Sequence, residues 1–149
     1  MQDSTGGLTI DNTAAENHTT ILAIAPSPLD KNVIWVGTDD GNLQLTRDGG
    51  KTWTNLSGSL PGVKAGSWIP YIEVSTKNAG EVFVIVNDYR RNDYRPMAFR
   101  SKDFGKTFTA IVTEKQVPCY TLSIVQDPIA SEMLWLGTDC GLYLSIDGG

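Results

Sequence analysis

The sequence predicts an all-β fold, a partial β-propeller of about three four-stranded antiparallel blades. Three observations carry that prediction. Ile34-Trp35-Val36-Gly37-Thr38-Asp39 recurs as Leu134-Trp135-Leu136-Gly137-Thr138-Asp139. Short apolar-alternating runs lead into an acidic glycine turn that occurs three times. The copies are Thr46-Arg47-Asp48-Gly49-Gly50-Lys51-Thr52-Trp53, Ser101-Lys102-Asp103-Phe104-Gly105-Lys106-Thr107-Phe108, and Ser145-Ile146-Asp147-Gly148-Gly149, the last without its Thr and aromatic. Finally, the aspartates lie roughly 45 to 55 residues apart, the repeat length of one four-stranded blade.

In chain order, residues 1–18 read as a polar lead-in that contains one short apolar run, Gly7-Leu8-Thr9-Ile10, a candidate blade-closing strand. Residues 19–57 form the first blade, with strands expected at 21–25, 33–37, 42–46 and 52–56. The run at 42–46 alternates polar and apolar, the period of a sheet with one face more buried. Residues 68–113 form the second blade, with strands at 69–75, 81–87, 97–101 and 107–112. Residues 118–149 form a third with strands at 120–126, 133–137 and 142–145, lacking its fourth. Pro26, Pro28 and Pro128 fall at strand exits, where a missing N–H does no harm.

The turns have a chemical logic. The side chains of Asp48, Asp103 and Asp147 can accept N–H bonds inside the hairpin, as Asx turns do. Gly50, Gly105 and Gly149 supply backbone conformations that a Cβ would penalise. Trp53 and Phe108 can pack between sheets and bury a large apolar area. These turns, and the blade running from Ile24-Ala25-Pro26-Ser27-Pro28 through Trp35-Val36-Gly37-Thr38-Asp39-Asp40-Gly41 to Asp48-Gly49-Gly50-Lys51-Thr52-Trp53, resemble the BNR or Asp-box repeat proteins. That superfamily contains sialidases, sortilin-like VPS10 receptors and xyloglucan-active glycosidases; the likeness is greatest to bacterial BNR-repeat glycosyl hydrolases. The resemblance covers nearly the whole chain after about residue 18. It implies that the Asp-box hairpins are structural and share one face, that the loops between second and third strands hold ligands on the other, and that the protein is extracytoplasmic.

The ligand-face loops would be 38–41, 87–96 and 138–141. In the xyloglucan-active relatives an aspartate in a Thr-Asp-x-Gly loop serves as one carboxylate of an acid/base pair, and Asp39 and Asp139 match that pattern. Inverting hydrolysis needs two carboxyls roughly 6.5–9.5 Å apart. The simpler reading is that each aspartate caps a tight turn with the following residues. The middle loop concentrates Tyr89, Arg90, Arg91, Tyr94 and Arg95 in a chain of formal net charge −5. Arginine forks grip carboxylate or sulfate and tyrosines stack on sugar rings, although a solvated loop neutralised by its own aspartates is the plainer account. A sialidase should carry an arginine before Ile-Pro, whereas this chain has Trp68-Ile69-Pro70, so sialidase chemistry is not expected. Tyr71 and Glu73 lie nearby but are read as pointing apart, hence as no pair.

Other classes are disfavoured. The acidic balance argues against nucleic acid, no run of about 18 apolar residues could span a membrane, and the amino terminus lacks the basic and apolar regions of a signal peptide. A lone histidine, His18, leaves no multi-histidine metal site, and no cofactor is called for. Cys119 and Cys140 fall nearly opposite one another if the third blade pairs as expected; the reading favours two reduced thiols over a disulfide. Three blades do not close a ring, so the partners expected are the remaining blades of a longer chain, or further copies, together with a glycan or peptide ligand. The function expected is a binding or scaffold module without catalysis by itself; the alternative is part of a glycoside hydrolase using paired aspartates.

Overall fold

The computed structural model describes residues 19–149, so the run at 7–10 lies outside the described residues. The first sheet holds β1 (Ile21–Pro26), β2 (Ile34–Thr38), β3 (Leu43–Thr46) and β4 (Thr54–Asn55). The second holds β5 (Trp68–Val74), β6 (Val82–Asp88), β7 (Asp93–Ser101) and β8 (Thr109–Ala110). The third holds β9 (Thr121–Gln126), β10 (Leu134–Thr138) and β11 (Gly141–Ser145). Each sheet is an antiparallel meander in sequence order, with registers such as Trp35↔Leu45 and Trp135↔Leu144 that place the two recurring motifs equivalently. The first strands pack in series, β1 against β5 and β5 against β9.

Burial follows from which sheet has neighbours on both sides. Val82, Phe83, Val84, Ile85 and Val86 of β6 are all fully buried, because Val82, Val84 and Val86 face the first sheet while Phe83 and Ile85 face the third. A strand sandwiched in this way needs a continuous apolar run, not alternation. Trp35, Leu43, Leu45, Ile69, Ile72 and Phe99 fill the layer between the first and second sheets. Ala98, Val117, Ile124, Leu134 and Leu136 fill the next. The outer faces differ: Ile21 and Ile24 on β1, and Leu122, Val125, Trp135, Leu142 and Leu144 on the third sheet, are exposed.

Close packing of sheets explains one recurring glycine. A Cβ on Gly37 would stand 2.6 Å from Cγ2 of Ile69 and 2.7 Å from its carbonyl oxygen, so β2 can lie against β5 only without a side chain there. Thr121, fully buried, knits the second and third sheets at one end: its hydroxyl lies 2.9 Å from the Met97 carbonyl and 3.2 Å from that of Val86, and accepts the Met97 N–H.

The cysteines correct an expectation. Cys119 and Cys140 are joined in a disulfide with a Cα–Cα distance of 6.0 Å, within the ordinary range, not held as two free thiols. Pairing of Thr121 with Thr138 brings the segment before β9 beside the β10–β11 turn, and this register supplies the approach.

Candidate ligand face

The two ends of the sheets are chemically unlike. At one end stand the three acidic turns. Thr46 donates its hydroxyl to Asp48 at 2.8 Å and accepts the Gly50 N–H at 2.9 Å, while Asp48 accepts the N–H (2.9 Å) and hydroxyl (2.6 Å) of Thr52. Ser101, Asp103, Gly105 and Thr107 repeat the network at 2.7–2.9 Å, and Ser145, Asp147 and Gly149 repeat its first half. Those donors hold all three carboxyls below the usual carboxylate range, Asp48 at about 2. With their lone pairs taken by the local backbone and hydroxyls, these aspartates serve as turn fasteners.

The second and third turns also lean on the preceding sheet. A Cβ on Gly105, at φ +76°, would come within 2.5 Å of Leu56 and 2.9 Å of Trp35, so glycine is required both for the backbone and for the approach. Phe108 packs against the layer between the first and second sheets. Trp53, its counterpart on the first sheet, remains 45% exposed, because no sheet among the described residues lies on that side.

The opposite end gathers the β2–β3, β6–β7 and β10–β11 loops. Asp39 is buried; its carboxylate accepts the Thr20 N–H at 2.7 Å and its own N–H donates to the Thr20 carbonyl at 3.0 Å, tying the entry of β1 to the loop. Its neighbour Asp40 accepts the Thr38 hydroxyl and, at 2.8 Å, the Asn42 amide. Asp139 is exposed on the third sheet, where its N–H donates to the Tyr120 carbonyl at 3.2 Å and its carboxylate acts electrostatically on the Tyr120 phenol. Asp39 and Asp139 thus occupy equivalent loops of the first and third sheets, with the middle sheet between them, and their surroundings differ sharply.

The arginine loop divides into spent and unspent groups. Arg91 donates to Asp88 at 2.6 Å, to the Ala65 carbonyl and to Ser67, pinning the loop to the segment before β5. Arg95 grips Asp93 through both carboxylate oxygens at 2.8 and 2.7 Å, and Lys64 approaches the same carboxylate at 3.3 Å. These donors hold the Asp93 carboxyl well below its usual range, and the carboxylate raises Arg95 in return. Arg90 instead lies over the Trp68 ring, 3.2 Å from its centroid. Tyr89 stacks on Tyr120 with centroids 4.9 Å apart, and Tyr94, 55% exposed, stands 6.2 Å from the same ring. Desolvation, the Asp139 carboxylate and the neighbouring tyrosines push the Tyr120 phenol above its ordinary value.

Of the sequence-predicted ligand residues, then, Tyr89, Arg90 and Tyr94 come together on an open surface, while Arg91 and Arg95 are committed to Asp88 and Asp93. Trp68 and Tyr120 join them unforeseen. Both sit at the entry to a sheet's first strand, at the same end as the ligand-face loops, and an aromatic at that repeat position was the available signal. A second correction concerns Tyr71 and Glu73. Two residues apart on β5, they share a face as strand period requires, and the Tyr71 hydroxyl donates to Glu73 at 3.4 Å. Burial raises the Glu73 carboxyl and the Tyr71 phenol. Among the described residues no group of His, Cys, Asp and Glu could hold a metal ion, and no helix is long and apolar enough to cross a membrane.

Comparison with known proteins settles the architecture. No family model matches the chain. A stretch of 73 residues, 49% of the chain, is 32% identical to the oligoxyloglucan-reducing end-specific xyloglucanase of Emericella nidulans and covers 9% of it. An ancestral GH74 enzyme superposes with a TM-score of 0.67 at 21% identity, over 87% of this chain and 17% of that one. YCF48 bound to D1 peptide superposes with a TM-score of 0.65 at 20% identity, over 88% and 39%. The chain is built of β-propeller blades. Two blades have four strands and one has three among the described residues, and the chain spans less than half the length of each of these relatives. As blades, the sheets have one end fastened by acidic turns and another paved with aromatic rings, a guanidinium without a carboxylate partner and an exposed carboxylate. That second end can stack on a flat ligand and hydrogen-bond its edges.

Proposed function

We propose that this propeller segment is a glycan-binding module of an extracytoplasmic protein of the Asp-box, BNR-repeat type, binding through the end that carries Tyr89, Tyr94 and Tyr120 and not through the acidic turns. The observation that carries the reading is the aromatic cluster itself: tyrosines from two blades meet on an open surface beside Arg90 and Trp68. Sugar rings present flat C–H faces that stack on tyrosine and hydroxyl edges that bond to guanidinium, phenol and carboxylate. The partial likeness to a xyloglucanase supports a carbohydrate over other ligand classes. The disulfide supports an oxidising compartment. The exposed apolar faces of the first and third blades support further blades, or further copies, as structural partners.

The test is affinity electrophoresis of the chain through gels containing soluble plant polysaccharides, xyloglucan first. Retardation that Tyr94→Ala abolishes and Trp53→Ala leaves intact is expected. Unretarded migration in every polysaccharide contradicts the reading.

A second reading is favoured by one observation, that Asp39 and Asp139 stand in equivalent loops at this same end. In it they are the paired carboxylates of a glycoside hydrolase. Asp139 is solvent-facing and Asp39 is buried, so the two carboxylates stand in unlike surroundings, as the two members of an acid/base pair do. Loss of reducing-sugar release on Asp39→Asn, with polysaccharide binding retained, supports it; unchanged release removes Asp39 from the chemistry.

A further inference from the structure

We infer that Arg90, held over the Trp68 ring, is a carboxylate-binding group, and that the glycan taken by this face is an acidic one containing uronic-acid units. The inference rests on the glycan-binding reading above. Within the loop, charge is matched except at one place. Asp88 is engaged by Arg91, and Asp93 by Arg95 and Lys64. Among the described residues no carboxylate lies within ion-pair distance of Arg90, and its positive charge is uncompensated in a chain of net charge −5.

Geometry then fixes what Arg90 can do. Its Cζ is 3.2 Å from the Trp68 centroid and 5.1 Å from that of Tyr89, so the guanidinium rests over the Trp68 ring with Tyr89 beside it. The N–H donors of a guanidinium lie in its own plane and leave by its edges. A planar carboxylate meets such an edge with two parallel hydrogen bonds, a match that a lysine ammonium cannot reproduce. Because the stack holds the fork in place, less rotamer freedom is lost when the anion arrives.

The neighbours select a carboxylate that is attached to a ring. Tyr89 and Tyr120 form a stacked pair beside the guanidinium and Tyr94 projects beyond them. A uronic acid carries its carboxylate rigidly on the sugar, so one unit can meet Arg90 while its ring, or the next, lies on the tyrosines. A peptide whose side chains are only acidic would use the first contact and leave the second empty.

The experiment is calorimetric titration of the chain with tetragalacturonate, its fully methyl-esterified form, neutral cellotetraose, and an acidic tetrapeptide. Tetragalacturonate is expected to bind roughly tenfold or more tightly than its ester. Arg90→Gln should abolish the difference, Arg90→Lys should recover only part of it, and both variants should melt like the wild type because Arg90 is exposed. Equal affinity for acid and ester, or discrimination that survives Arg90→Gln, overturns the inference. If cellotetraose binds and the acid gains nothing, the inference fails and the glycan reading stands. If no sugar binds, both fail. Arg90-dependent binding of the peptide alone replaces the glycan with a protein partner and overturns both.

Discussion

Asp48 fastens its turn through Thr46 and Thr52, and the sign of that arrangement governs the acid behaviour of the protein. Its carboxyl sits at about 2, below its ordinary value, and those of Asp93, Asp103, Asp127 and Asp147 are also lowered. A lowered folded-state value means that the unfolded chain binds protons first. The stability contributed is therefore complete above the ordinary carboxylate value and is lost as pH falls through the folded one. Thermal melts between pH 5 and 2 should show the midpoint falling most steeply below pH 4, and Asp48→Asn or Asp103→Asn should flatten that slope. Glu73 has the opposite sign. Burial raises its carboxyl, so its contribution is full below its ordinary value and diminishes as pH rises through the folded one. Glu73→Gln, which keeps a polar partner for Tyr71, should raise the melting temperature at pH 8 more than at pH 4. The turn aspartates were legible in sequence because their pattern is local, every donor lying within four residues. Arg90 on Trp68 was not, since they are 22 positions apart in sequence and only the pairing of β5 with β6 brings them together.

Among the strands and turns, equivalent motif positions differ in what their neighbours supply. Trp35 and Trp135 hold the same place in their strands, yet Trp35 is 1% exposed beneath Gly105 and Leu56 while Trp135 is 38% exposed. Trp35→Ala should cost about 3–5 kcal/mol in urea unfolding, and Trp135→Ala clearly less. The sequence periodicity located both strands to within a residue or two, but whether a face is covered depends on the next sheet and lies beyond any local pattern. The disulfide shows the same limit. The expected pairing already put the two cysteines, 21 positions apart, nearly opposite one another, but whether they bond turns on the close approach that the Thr121–Thr138 register supplies. The bridge joins the residue before Tyr120 to the residue after Asp139, so it lies beside the third-blade half of the proposed ligand face. Reduction, or Cys119→Ser with Cys140→Ser, should lower stability by about 3 kcal/mol. It should also move the Tyr120 phenol back toward its ordinary value, read by ultraviolet titration near pH 10–11.

Taken whole, the blades form an arc with apolar surface at both ends. Ile21 and Ile24 are exposed on the first blade, and Leu142 and Leu144 on the third. Repeat arrays need their end faces covered, so the described chain should associate reversibly at tens of micromolar in sedimentation velocity. Trp135→Lys combined with Leu144→Lys should shift it toward monomer without changing its circular dichroism. Fold was readable at this scale because three copies of one turn, repeated at blade length, leave few alternatives; ligand was not, because the fold hosts many functions and only side-chain placement on one end discriminates among them. The claim on which the rest depends is that this end, not the acidic turns, receives a glycan. Amide chemical shifts recorded during titration with a soluble oligosaccharide test it directly. Perturbations confined to residues 38–42, 66–69, 88–95, 119–121 and 138–141 are expected. Perturbations centred on 46–52 and 101–107, or none at millimolar sugar, would contradict it.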